Sequence, residues 1–228
     1  MNEDPFGILV VDKQKGMTSH DVVKMVRDRF AIKKVGHAGT LDPNATGVLV
    51  LLLGRATKLS GKFLNEDKEY EATMKLGEKT DSGDSDGKLI STKEVCSSEE
   101  KIRDTMAEFF GEIEQVPPMV SAKRVKGKRL YKLARKNIEV ERQPQKIVIK
   151  KMKIFGIEPP FVRFGIVCSK GTYVRQLADD IGERLGCGAH LTELNRTRSG
   201  SFSIDMAVSF SELADMDRGT LDESIVRI

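Results

Sequence analysis

At 228 residues the chain has room for one large domain, or one domain plus an insertion, at roughly 150 residues per domain. Hydrophobic residues make up 39%, enough for a core, and the 32% charged residues are mixed in sign, which excludes a disordered polyelectrolyte. The formal net charge of +4 says little by itself about a polyanionic partner.

The chain opens MNEDPFGILVVDK, acids before a short apolar run, which is not the pattern of a secretory signal. No apolar run approaches the roughly 20 residues of a membrane helix. We therefore expect a cytoplasmic protein without membrane contact. GILVVDK (7–13) predicts a buried strand leaving into a polar turn. TSHDVVKMVRDRF (18–30) predicts a helix, with Thr18 and Asp21 as a capping box and Val22, Val23, Val26 and Phe30 on one face. GHAGTLDPNATG (36–47), rich in Gly and Thr, predicts a loop. VLVLLLG (48–54) predicts a strand buried on both faces, 55–64 a short helix, and KEYEATMKLG (68–77) another strand.

TDSGDSDG (80–87) reads as an acidic turn, and SSEEKIRDTMAEFFGE (97–112) as a capped amphipathic helix. A helix is expected near 128–138, strands over 146–157 and 161–168, and a strong helix over TYVRQLADDIGERLG (172–186), ending at Gly186. Strict βαβ alternation is absent, so the fold class is α/β of the α+β kind: a mixed, mainly antiparallel sheet flanked by helices. We expect a single domain over 1–228 with 117–145 as an insertion.

The charge is unevenly placed. Pro117–Lys153 carries thirteen Lys/Arg against two acids, a net of +11, and the rest of the chain has a net of −7. A basic segment on an acidic body fits a polyanion partner, and it fits a solvated face equally well.

Several chemistries are excluded. Three histidines at wide spacing and no HExxH motif leave no zinc site, and neither a GxxxxGK[ST] nor a GxGxxG loop is present. No GxSxG marks a serine hydrolase. Ser82–Lys93 resembles a calcium loop, but Ser82 and Lys93 stand where carboxylates are needed, so no metal is expected there. Cys96, Cys168 and Cys187 form no CxxC pair and read as reduced thiols.

GHAGTLDPNATG has the composition of a loop that approaches a ligand closely. Pro43 biases Asp42 towards extended backbone, and the strand that follows is a rigid anchor for a reactive carboxylate. Asp-Pro is also a common turn former, and the segment alone leaves both readings open.

Five separated motifs then carry a resemblance. DKQKGMTSHDVV (12–23), GHAGTLDPNATGVLVLLLGRATK (36–58), KEYEATMKLG (68–77), QVPPMVSAKRVKGKRLYKLAR (115–135) and CSKGTYVRQLADDIGERLGCGAHLTELNRTRSG (168–200) occur in the order found in the TruB family of tRNA pseudouridine synthases. The resemblance runs from about residue 6 to 210, and the GHAGTLDP wording is of the bacterial type. Two departures are Gln14, where the family usually has Pro, and Val120, where it often has an aromatic. Most bacterial members continue into a small RNA-binding domain. This chain stops at Ile228, so no separate C-terminal domain is expected.

The resemblance implies a pseudouridine-synthase-like catalytic domain that isomerises uridine 55 in the T arm of tRNA, with no cofactor and no metal. It implies Asp42 as the catalytic carboxylate, Tyr70 as the stacking surface for a flipped uracil, and Arg175 as the countercharge to Asp42. Lys13, His37, Leu194 and Tyr173 match positions that line the pocket or meet the RNA. The insertion residues Lys123, Arg124, Lys126, Lys128 and Arg129 match the segment that grips phosphates of the stem-loop. The partner expected is the tRNA T arm, met by a monomer with no obligatory protein partner.

Overall fold

The computed structural model describes residues 5–121, 123–125, 127–134, 136 and 138–228, with the backbone alone at 124, 128, 129 and 131. In chain order, strand β1 (Gly7–Lys13) leads to helix α1 (Ser19–Arg29), then β2 (Val35–His37), β3 (Thr46–Leu53), α2 (Ser60–Leu64) and β4 (Lys68–Leu76). Next come β5 (Glu78–Thr80), β6 (Leu89–Thr92), α3 (Glu99–Ala107), β7 (Gly111–Gln115), β8 (Arg124–Val125), β9 (Lys128–Arg129) and α4 (Leu130–Ala134). The long β10 (Gln145–Glu158) and β11 (Phe161–Cys168) precede α5 (Val174–Leu185), β12 (Ala189–Ser199), β13 (Phe202–Ser203), β14 (Val208–Ser209), α6 (Phe210–Asp215) and α7 (Arg218–Ser224).

The chain packs as two compact units, Met1–Tyr70 with Leu194–Ile228, and Glu71–Glu193. In the first, β3 is central. It pairs antiparallel with β1 from Gly7↔Leu53 to Lys13↔Gly47, antiparallel with β2, and parallel with β12 through Thr46↔Asn195 and Gly47↔Arg196. β14 adds to β1 in parallel. Every residue of β3 from Gly47 to Leu53 is buried, as its continuous apolar run predicts for a strand covered on both faces. Ile8, Val10, Val48, Val50 and Leu52 close against Phe63 and Phe202 on one side of this sheet.

In the second unit the strand order is β4-β11-β10-β7. β10 pairs antiparallel with both β11 and β7, while β5–β6 and β8–β9 form separate antiparallel hairpins. The sheet is thus mixed and mainly antiparallel, as the sequence predicts.

Helix α1 starts on the expected capping box. The Thr18 hydroxyl accepts from the Asp21 amide, and the Asp21 carboxylate accepts from the Thr18 amide at 2.8 Å. Helix α5 ends on Gly186 at φ 83°, the left-handed cap that glycine supplies without strain. Three readings need correction. The helix expected over 97–112 stops at Ala107, because Gly111 at φ 91° turns the chain into β7, and Phe110 is exposed. The segment 36–47 is not loop throughout: His37 belongs to β2 and Thr46 opens β3. The strand β12 is not foreseen, since most of its residues are polar and its burial follows no period of two.

Candidate active site

Within the first unit, the loop between β2 and β3 carries Asp42. Its backbone is gripped from three directions. Lys13, the last residue of β1, is completely buried, and its ammonium donates to the carbonyls of Gln14 at 2.9 Å, Met17 at 2.9 Å and Pro43 at 3.2 Å. The Gly16 amide adds a second bond to the Pro43 carbonyl at 2.9 Å. On the other arm, Arg196 of β12 donates to the carbonyls of Gly39 at 3.0 Å, Thr40 at 3.5 Å and Val48 at 2.7 Å. Between these arms, Ser19 of α1 holds Leu41 through both of its backbone polar groups.

Two cations in one buried neighbourhood need an anion nearby. The Lys13 ammonium is lowered from its ordinary 10.5 to about 8, chiefly by burial, with the Asp42 carboxylate opposing the shift and the Arg196 guanidinium adding to it. Asp42 itself is half-buried, on the loop the two cations fasten. The close passage of β3 past β12 demands glycine at 47. Its φ is +97°, and a Cβ there would stand 2.3 Å from the Arg196 carbonyl oxygen.

The same unit holds the other residues expected near Asp42. Tyr70 is buried on β4, His37 is half-buried at the end of β2, and Leu194 is half-buried on β12. Lys68, also buried, donates to the carbonyls of Phe63 at 3.2 Å, Leu64 at 3.0 Å and Glu66 at 2.7 Å, closing the end of α2 two residues before Tyr70.

In the second unit, Arg175 sits in the first turn of α5 and is 3% exposed. Its guanidinium donates to the carbonyls of Ser82 at 3.0 Å and Val120 at 2.7 Å, and Nε lies 3.8 Å from an Asp84 carboxylate oxygen. The start of α5 is fixed by Gln115, fully buried at the end of β7. Its side-chain oxygen accepts from the Tyr173 amide at 2.9 Å, and its side-chain nitrogen donates to the Tyr173 carbonyl at 3.1 Å. The acidic turn after β5 is therefore more than a hairpin tip, since it supplies Arg175 with a carbonyl and a carboxylate. Lys123 donates to Gln145 at 2.8 Å. Lys126 and the side chains of Arg124, Lys128 and Arg129 lie outside the described residues. Among the described residues no three His, Cys, Asp or Glu side chains are grouped to hold a metal ion.

Sequence reasoning missed Ser19, Arg196 and Gln115. All three lie inside the quoted motifs, but nothing in their spacing shows that their partners are backbone groups distant in the chain.

The description "TruB family pseudouridylate synthase (N terminal domain)" matches residues 27–174, and "tRNA pseudouridylate synthase B C-terminal domain" matches 175–227. The tRNA pseudouridine synthase B of Protochlamydia amoebophila (strain UWE25) is 48% identical over 222 residues, spanning 97% of this chain and 84% of its own. That of Aromatoleum aromaticum is 50% identical over 207 residues, spanning 91% of this chain and 67% of its own. Among solved structures, a chain in the crystal structure of a Cbf5-Nop10-Gar1 complex superposes with a TM-score of 0.77 at 32% identity. The match covers 97% of this chain and 60% of that one.

Proposed function

The chain belongs to the TruB family of pseudouridylate synthases, and from that premise we propose that it isomerises uridine 55 in the T loop of tRNA to pseudouridine. The observation that carries this reading is the Asp42 loop, whose carbonyls at Gly39, Thr40 and Pro43 are held by two buried cations. A loop fixed in this way presents one carboxylate in one place, which is what a reaction at a single ribose requires.

In the reaction the C1′–N1 bond breaks, the uracil turns, C1′ joins C5, and the proton displaced from C5 is replaced by one gained at N1. Atoms and electrons balance within the nucleotide, so no redox partner enters. Asp42 supplies the carboxylate at the ribose, as nucleophile or as base. Tyr70 offers its ring to the flipped uracil, and its hydroxyl is the candidate for moving the C5 proton. Arg175 serves as the countercharge that keeps Asp42 ionised when RNA closes the site. His37, Leu194, Tyr173 and Lys13 line or support the pocket. The segment 117–145, with Lys123, Arg124, Lys126, Lys128 and Arg129, grips the T-arm backbone. The chain acts as a single catalytic domain, a cytoplasmic monomer with no obligatory protein partner. Among the described residues no helix is long and apolar enough to cross a membrane.

The test uses the purified protein alone with an unmodified T-arm stem-loop, without added metal or cofactor. Pseudouridine should form. Asp42→Asn should bind the stem-loop and form none; substantial product from that variant would refute the assignment.

A further inference from the structure

We propose that Ser19 is a positioning residue for Asp42, acting through the backbone of Leu41. The inference rests on the reading of Asp42 given above. Ser19 is the first residue of α1, yet its hydroxyl does not serve that helix: Thr18 provides the cap. The Ser19 Oγ instead accepts from the Leu41 amide at 2.8 Å and donates to the Leu41 carbonyl at 3.0 Å. Ser19 is 2% exposed and Leu41 3%, so water does not compete for either bond.

The position of these bonds matters more than their number. Leu41 immediately precedes Asp42. The Leu41 C=O belongs to the Leu41–Asp42 peptide and the Leu41 N–H to the Thr40–Leu41 peptide before it, so holding both restrains two successive peptide planes and, through them, the direction in which the chain enters Asp42. Lys13 and Arg196 do not do this. An ammonium and a guanidinium only donate, so they hold carbonyls, at Pro43 on one side and at Gly39 and Thr40 on the other. A hydroxyl both donates and accepts, and this one spends both capacities on the single residue in between. The loop is thus hung at its two ends by cations and aimed at its centre by Ser19.

The chemistry at Asp42 is sensitive to small displacements, because a misplacement of about 1 Å costs on the order of 100-fold in rate. Loss of the Ser19 hydroxyl should therefore appear in the chemical step and leave RNA binding alone. Thr and Val have the same shape and differ in the hydroxyl, so Ser19→Thr and Ser19→Val share any steric cost of the added bulk.

The experiment measures single-turnover pseudouridine formation and stem-loop Kd for both variants, with Asp42→Asn alongside. The expected result is a rate for Ser19→Val roughly 100-fold below that of Ser19→Thr, with Kd values equal within about twofold. Equal rates for the pair, whether high or low, overturn the inference, and so does a difference confined to Kd. Product from Asp42→Asn would instead sink the assignment of Asp42; a dead Asp42→Asn with an equal Ser19 pair removes Ser19 alone.

Discussion

The Lys13 ammonium reaches the Pro43 carbonyl at 3.2 Å, thirty residues along the chain, and so ties the end of β1 to the residue after Asp42. A lysine with no exposed surface is uncommon unless its charge is matched, and three carbonyls and a nearby carboxylate do the matching here.

This burial gives a pH prediction in which activity and stability part company. Lys13 is lowered from 10.5 to about 8, chiefly by desolvation. Below about pH 8 both the folded and the unfolded chain carry the proton, and the group adds no pH dependence to folding. Between about 8 and 10.5 the unfolded chain binds more protons, so the contribution of Lys13 to stability rises with pH. A neutral amine, however, has two N–H groups for three carbonyls and no charge to set beside Asp42. We expect kcat to fall along a basic limb with an apparent pKa near 8 while the protein loses no thermal stability through this group. A pH–rate profile at saturating RNA, paired with melts at the same pH values, checks both; kcat constant to about pH 9.5 would count against the role given to Lys13.

Arg196 should matter to stability first. It is 1% exposed, and its guanidinium spans the carbonyls of Gly39, Thr40 and Val48. A lysine ammonium is too compact to reach all three. Arg196→Lys should leave carbonyls unsatisfied at a cost of about 2–3 kcal/mol. For a chain of this size that lowers Tm by roughly 5–10 °C. A thermal melt that moves by less than about 2 °C would mean that the three bonds contribute little.

How much of this was legible from residues alone differs by kind of interaction. The Thr18/Asp21 capping box and the Gly186 cap involve partners within a few residues, so spacing reveals them. The buried run of β3 is legible because each residue carries its own preference for the interior. Arg196 and Ser19 are not legible in this way. Each meets backbone groups of a distant segment, and backbone groups are the same in every sequence. Side-chain type tells that Arg196 needs acceptors, but only the parallel pairing of β12 with β3 tells where they are. Arg175 is the intermediate case: the motif marks it, while its bonds to the Ser82 and Val120 carbonyls come from loops that show no periodicity.

Gly47 provides a sharp test of the β3–β12 contact. Its φ of +97° is strained for any L side chain, and an added Cβ would lie 2.3 Å from both the Arg196 carbonyl oxygen and the Asn195 side-chain oxygen. The backbone oxygen cannot move without shifting β12. Gly47→Ala should destabilise by more than about 3 kcal/mol, seen as a large loss of Tm or of soluble protein. Gly61→Ala is the control: it lies in α2 with nothing within 4 Å of the added carbon, and it should leave Tm equal or slightly higher. Similar melts for the two variants would contradict the packing described for Gly47.

The basic segment predicts a salt dependence that separates gripping from chemistry. Between Pro117 and Lys153 the net charge is +11, on a chain that is otherwise acidic. Each phosphate contact releases counterions and adds about 0.7–0.9 to the slope of log Kd against log salt. Replacing Lys123, Arg124, Lys126, Lys128 and Arg129 together by Gln should lower that slope by up to about 4, if each meets one phosphate. Binding at low salt should weaken accordingly. The rate at saturating stem-loop should change little, because none of the five is assigned a role at the ribose or the base. Binding titrations of the stem-loop at three or more salt concentrations, with single-turnover rates at saturation, separate the two effects. An unchanged slope would move the phosphate grip away from 117–145. An unchanged slope with a collapsed rate would instead assign these residues to the chemical step.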